Sequence, residues 1–214
     1  MIRSDLWPVP NPLKEDWATS HNIRITDFLE ADVAARVLTA LRELPHPFAP
    51  RSHRNLKYQF GLRQNYPDVD CDHVLCALTH CWFSDVLRWV MACTGEALEP
   101  PEHPTLDSTL YTKGSYLDPH NDKAPQRRIA FVLGLTPTTW PADQGGHLEF
   151  LEQRDGRRRV VQRRQPGFNT LDLFDVHRQT AVHQIPLLTH AHERRAISGW
   201  FHGRPNEADR TLTT

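Results

Sequence analysis

From Asp107 to His202 the chain reads as a series of short β-like runs, each closed off by turn-forming residues. The runs are DSTLYT, GSYLD, RRIAFVLGL, HLEFLE, RRRVVQ, NTLDLFDV, AVHQIPLL and RRAISGWFH, with Lys113-Gly114, Pro141 to Gly146, Asp155-Gly156 and Pro166-Gly167 among the breaks. Apolar, β-branched and aromatic residues bounded by Gly, Pro and Asp are the pattern of strands joined by turns. Eight such strands in about a hundred residues must deal with their unpaired edges, which predicts a sandwich or barrel closed by antiparallel pairing.

The first hundred residues are patterned differently, with the change at Pro100 to Pro104. Val33, Ala34, Val37, Leu38 and Leu41 recur at helical spacing and Pro45 closes that segment, which predicts one amphipathic helix. Val74, Leu75, Leu78, Trp82, Val86, Trp89 and Val90 predict a second through Cys71 to Cys93, and both are expected to cover one face of the sheet. Between them lies a Pro-, Arg- and aromatic-rich stretch, expected to be lid or loop with a short strand near Tyr58 to Leu62. The chain has 214 residues, enough for one buried core and too few to require two. The expectation is therefore a single domain, mainly β with flanking helices, in which 1–100 supply support and lid and 104–204 the core.

A formal charge of -1 gives no global field to favour nucleic acid or an anionic membrane. The start, MIRSDLWPVPNP, lacks the apolar core of a signal peptide, and no stretch approaches the roughly twenty apolar residues of a spanning helix. A cytoplasmic protein without membrane contact is expected. Cys71, Cys76, Cys81 and Cys93 form no CxxC pair, so reduced core thiols are expected in place of structural zinc.

The chemistry concentrates in YTKGSYLDPHNDK, where His120 and Asp122 stand two positions apart. On an extended strand such residues project from one face, so an imidazole and a carboxylate can converge on one ion. Two histidines and a carboxylate on one triangular face leave open positions for a chelating co-substrate and dioxygen, the arrangement of non-haem Fe(II) oxygenases. His183, in a later strand-like run, offers the second imidazole, with His177, His190 and His192 as competitors. Eleven positions after His183, Arg194 opens a strand of small and apolar residues, where a buried guanidinium suits a carboxylate.

YTKGSYLDPHND, RRIAFVLGL, GGHLEFLE, PGFNTLDLF, VHQI and RRAISGWFHG resemble, in order and spacing, the prolyl-hydroxylase branch of the 2-oxoglutarate/Fe(II) dioxygenases. RRIAFVLGL and ISGWFHG are most similar to the ribosomal-protein prolyl hydroxylases. The resemblance implies a double-stranded β-helix, also called a jelly-roll, holding Fe(II) through His120, Asp122 and His183. It further implies Arg194 on the far carboxylate of 2-oxoglutarate, Tyr111 near that co-substrate, O2 as the oxidant and ascorbate as a stimulant. The implied activity is hydroxylation of a peptidyl, most often prolyl, substrate with release of succinate and CO2. Two positions depart from the pattern: Gly134 stands where many relatives have tyrosine, and Ala196 where they often have serine.

Arg128, Trp200 and Tyr58 are the candidate substrate-lining residues. Arg157, Arg158, Arg159, Arg163 and Arg164 form a basic hairpin that is either a solvated turn or a contact for an acidic or RNA-containing partner. Two readings compete with the peptidyl hydroxylase: the same chemistry on a free amino acid or small metabolite, and a non-catalytic jelly-roll binding module. A zinc hydrolase with the same three ligands would leave Arg194 without a purpose.

Overall fold

The computed structural model describes residues 1–53, 56–65 and 72–203. Strands β1 (Asn22–Ile25), β2 (Phe48–His53), β3 (Leu56–Asn65) and β4 (Leu98–Glu99) are interleaved with helices α1 (Asn11–Ser20), α2 (Ala31–Glu43), α3 (Val74–Cys81) and α4 (Leu87–Thr94). The eight expected strands follow as β5 (Leu106–Tyr111), β6 (Tyr116–His120), β7 (Arg127–Leu135), β8 (Leu148–Arg154), β9 (Arg157–Arg164), β10 (Phe168–Asp175), β11 (Val182–Ile185) and β12 (Arg194–Gly203).

The strands hydrogen-bond in the order β1-β10-β7-β12-β5-β3-β6-β11-β8-β9, with β2 on β3 and β4 on β12. This path folds over into a double-stranded β-helix. Phe150 of β8 packs edge-on against Phe174 of β10, with ring centroids 5.1 Å apart, so the two ends of the path face each other. Phe60, Tyr111, Ala130, Leu148, Phe150, Phe174 and Ile185, drawn from both halves, form the inner core. β3 had been expected as a short strand in a loop-rich lid; it is instead the ten-residue strand that joins β5 to β6.

The opposite face of β7, β10 and β12 carries Phe131, Leu133, Leu171, Leu173, Ile197 and Phe201, and the helices cover it. α2 buries Ala34, Val37, Leu38, Ala40 and Leu41, with Asp32 in its first turn and Arg42 in its last, each favourable to the helix dipole. The second expected helix is continuous in space but contains a π-helical stretch at Trp82–Val86 between α3 and α4. That stretch holds the fully buried Trp82 against Phe28 and, 5.0 Å between centroids, against Phe131 of β7. Gly95, at φ 75°, ends α4 with its N–H donating to the Met91 carbonyl.

One expectation about the cysteines is corrected: Cys81 and Cys93 are free thiols, but Cys76 is disulfide-bonded. Missing CxxC spacing argues against a metal site and is silent about oxidation, which depends on spatial approach.

A buried ion cluster ties β1 to the barrel. Asp172 of β10 accepts two 2.7 Å hydrogen bonds from Arg24 of β1 and one of 2.8 Å from Arg164 of β9. Arg164 also donates to the carbonyls of Asn22 and Ile23. Removing the shared carboxylate strands two guanidiniums, so Asp172→Ala is expected to lower unfolding stability by about 3–5 kcal/mol, read by chemical denaturation. A loss below about 1 kcal/mol would show that the cluster is already well solvated.

Candidate active site

The pairing of β6 with β11 sets His120 directly opposite His183, with ring centroids 4.3 Å apart. Asp122 completes the group, with Oδ1 3.5 Å from His120 Nε2 and Oδ2 3.6 Å from His183 Nε2. The three ligand-type atoms lie within 4.8 Å of one another, close enough to hold a metal ion. β6 ends at His120, so Asp122 reaches the site from the segment after the strand and not from the strand face itself.

The tautomers suit a metal. Nδ1 of His120 lies 2.9 Å from the Asp118 carbonyl and Nδ1 of His183 2.9 Å from the Ala181 carbonyl. Each Nδ1–H donates to a backbone carbonyl two residues earlier, so Nε2 is the nitrogen turned toward Asp122, protonated when it hydrogen-bonds the carboxylate and free to ligate a metal once that proton is lost. Burial alone would raise the Asp122 pKa, but the hydrogen bond from His120 and the charges of both histidines outweigh it and bring it to about 2. Burial pulls both imidazoles down; Asp122 more than offsets this at His120, which ends above its ordinary value, while deeper-lying His183 stays below it. A low-pKa carboxylate set between two imidazole nitrogens is a donor set that fits a divalent ion.

These residues line a cavity of about 870 Å³ between the two halves of the barrel. Arg194, at the start of β12, pairs in register with Tyr111 of β5, and its guanidinium sits 4.8 Å from the Tyr111 ring centroid. Both are buried, and Phe60 stacks on the other side of Tyr111 at 4.7 Å. Among the described residues no carboxylate lies within ion-pair distance of Arg194. Burial lowers its pKa, with only partial compensation from Tyr111 and the more remote Asp172. A buried guanidinium without a counter-ion, opening into a cavity, is a site for an anion.

Of the competing histidines, His177 Nε2 lies 3.0 Å from Arg128, whereas His190 and His192 stack around Trp140. Neither group reaches Asp122. Trp200 and Tyr58 line the cavity as expected, but Arg128 does not. Its neighbour Arg127 takes that place, with the guanidinium carbon 3.4 Å over the Trp200 ring. Strand alternation counted back from Ala130 puts Arg128 inside; a bulge between the Phe201–Ile129 and His202–Arg127 pairs exchanges the two faces. The Trp200 indole N–H is buried and near enough to help lower the Asp122 pKa, although it makes no direct hydrogen bond. Lys123 and Arg158 also line the cavity; the latter comes from the tip of the basic hairpin, a placement with no local signal in sequence.

The sequence profile of the 2OG-Fe(II) oxygenase superfamily matches residues 106–202. The chain is 32% identical over 162 residues to prolyl 3-hydroxylase OGFOD1 of Xenopus laevis, a match covering 73% of this chain and 30% of that protein. The chain spans less than a third of the length of the curated relatives it matches. Among solved structures, a Pseudomonas putida prolyl-4-hydroxylase superposes with TM-score 0.63 at 21% identity, covering 90% of this chain and 98% of that one. A Trichoplax adhaerens prolyl hydroxylase in complex with a hypoxia inducible factor oxygen degradation domain peptide fragment superposes with TM-score 0.63 at 18% identity, covering 95% and 92%. The chain is thus similar to prolyl hydroxylases in sequence and in fold, and the matched superfamily is one of Fe(II)- and 2-oxoglutarate-using oxygenases.

Gly134, which stands where many relatives have tyrosine, leaves no extra space in the cavity. A Cβ there would stand 2.6 Å from Thr170 Oγ1 and 2.7 Å from the Gly167 carbonyl, because neighbouring chain already fills the space. Gly134→Ala is expected to cost about 1–3 kcal/mol, lowering Tm by several degrees. An unchanged melting temperature would show that this end of the barrel is looser than described.

Proposed function

We propose that the protein is an Fe(II)- and 2-oxoglutarate-dependent dioxygenase that hydroxylates a peptidyl substrate, with proline the favoured residue. The observation that carries this reading is the coexistence, in one cavity, of the His120–Asp122–His183 group with the buried, anion-lacking Arg194. A zinc hydrolase needs the first and has no use for the second, and a non-catalytic binding module needs neither.

In this reading His120, Asp122 and His183 hold the metal by Nε2, a carboxylate oxygen and Nε2. Arg194, braced by Tyr111, holds the far carboxylate of 2-oxoglutarate. Bound Fe(II) and 2-oxoglutarate supply oxidative decarboxylation with O2, yielding succinate, CO2 and an oxygen atom delivered to a C–H bond. The protein's share is to orient these reagents and keep bulk water from them. Arg127 and Trp200 form a flat, rigid wall beside Asp122 against which a ring-shaped side chain can lie. We further propose that residues 1–100 belong to the same domain as the 104–204 core, since β3 is part of the cavity wall.

A peptide is favoured over a free amino acid because cationic groups continue outward from the cavity through Lys123 and Arg158. Among the described residues neither forms an ion pair, and Arg158 is exposed on the hairpin. Such groups are placed to meet acidic residues flanking the hydroxylated one. No helix among the described residues is long and apolar enough to cross a membrane.

Fe(II)-loaded protein given 2-oxoglutarate and O2 should form succinate and add one oxygen to peptides in preference to free amino acids, read by mass spectrometry. His120→Ala should abolish turnover, by at least about 100-fold. Succinate formation unaffected by this change would contradict the metal assignment, and oxygen gain on free amino acids alone would favour the metabolite reading. Arg158→Glu should raise KM for an acidic peptide by about 3–10-fold at low salt, with the effect shrinking at 0.5 M NaCl. An equal effect on acidic and basic peptides would remove the hairpin from substrate recognition.

A further inference from the structure

The buried serine and threonine hydroxyls of the described residues are almost all accounted for. Thr79 donates to the Leu75 carbonyl, Ser108 to Arg63, Thr109 to Ala196 and Thr136 to Arg195, while Ser115 accepts from the Thr112 N–H. Thr170 is the exception. It is 8% exposed, and its Oγ1 is fully buried with no hydrogen-bond partner. An orphaned buried hydroxyl costs stability, so its retention asks what it meets when the protein is at work.

Its position answers this. Thr170 of β10 pairs with Gly134 of β7, and Gly134 pairs in turn with Ala196 of β12, two residues from Arg194 on the same strand face. Because position 134 has no side chain, the Thr170 hydroxyl leans over it, to within 2.6 Å of where a Cβ would stand. Thr170, Gly134 and Arg194 line one small recess of about 10 Å³, and Val132, Leu148, Arg194 and Ala196 belong both to that recess and to the main cavity. The recess adjoins the cavity at its Arg194 end, with room for about one oxygen-sized group. The charged groups lining it are Arg24, Arg164, Arg194 and Arg195 against the single carboxylate of Asp172. Asp172 is already saturated by Arg24 and Arg164, which leaves the recess suited to an anion.

We propose that the Thr170 hydroxyl donates a hydrogen bond to the far carboxylate of 2-oxoglutarate beside Arg194, and that Gly134 is required as glycine to admit it. This inference rests on the oxygenase reading and assigns a residue which that reading leaves unused. Arg194 supplies charge and a two-pronged donor set, and Thr170 supplies a third donor on the opposite side of the recess, fixing how deep the carboxylate sits.

The test compares Thr170→Val, which keeps the shape and removes the hydroxyl, with Thr170→Ser, which keeps the hydroxyl. Mn(II)-loaded wild type and variants are titrated calorimetrically with 2-oxoglutarate and with 2-oxovalerate, which has the same chelating end and a methyl in place of the far carboxylate. Thr170→Val should lose about tenfold or more in 2-oxoglutarate affinity with no change for 2-oxovalerate, and Thr170→Ser should stay within about threefold of wild type. In activity the loss should fall on KM for 2-oxoglutarate and not on kcat. The metal-free Thr170→Val protein should melt no lower than wild type and up to a few degrees higher, since it sheds an unpaired buried polar group. A lower Tm would mark the hydroxyl as structural and overturn the proposal, as would equal losses for both keto acids. Wild type that binds 2-oxoglutarate while Thr170→Val binds it equally well overturns this inference alone. Wild type that binds neither keto acid overturns the oxygenase reading and this inference with it.

Discussion

Everything in the site depends on the pairing of β6 with β11. Those strands are remote in sequence, and their register brings His120 and His183 face to face. A slip of one residue would turn one imidazole out of the cavity, because side chains alternate faces. The register is held from both sides: β6 also pairs with β3 through Tyr58–Leu117, and β11 with β8 through His183–Phe150. Backbone carbonyls of Asp118 and Ala181 then fix each ring's tautomer. The ligand-type atoms are thus prearranged by the sheet itself, with little left to side-chain freedom.

The Arg194 end of the cavity follows a different rule. There the protein leaves polar groups incompletely satisfied: among the described residues, a guanidinium without a carboxylate at Arg194 and a hydroxyl without a partner at Thr170. Nearby, the same fold satisfies buried charge thoroughly, as at Asp172 with its two arginines. The contrast between adjacent sites, one saturated and one deficient, separates a structural ion cluster from a ligand-binding one. Stability given up at that end is recoverable when an anion binds there.

The eight strands from Leu106 to Gly203 were legible because period-two runs and turn breakers are local signals, and the His120–Asp122 pair because His-x-Asp spacing is local too, whereas His183 was chosen among four histidines by its VHQI context and its distance from Arg194. What escaped were consequences of long-range pairing. β1 and β4 are too short to announce themselves, and the full length of β3, expected only near Tyr58 to Leu62, is disguised by its Pro- and Arg-rich approach. The exchange of Arg127 for Arg128 required knowing of a bulge that appears only once β7 meets β12. Arg158 at the cavity depends on β9 being folded back by the Asp155-Gly156 turn, where both residues have positive φ. Gly134 stood out in sequence only as a departure from the family's tyrosine; in space it is a glycine crowded by Thr170 and Gly167.

The central claim is that one cavity holds a divalent metal at His120, Asp122 and His183 and a dicarboxylate spanning from that metal to Arg194. Anaerobic calorimetric titration of 2-oxoglutarate into protein with and without Fe(II) tests it most directly. The account predicts one 2-oxoglutarate per chain, tight only when Fe(II) is present and lost in His183→Ala. Binding of equal strength without metal, or none with it, would contradict the account.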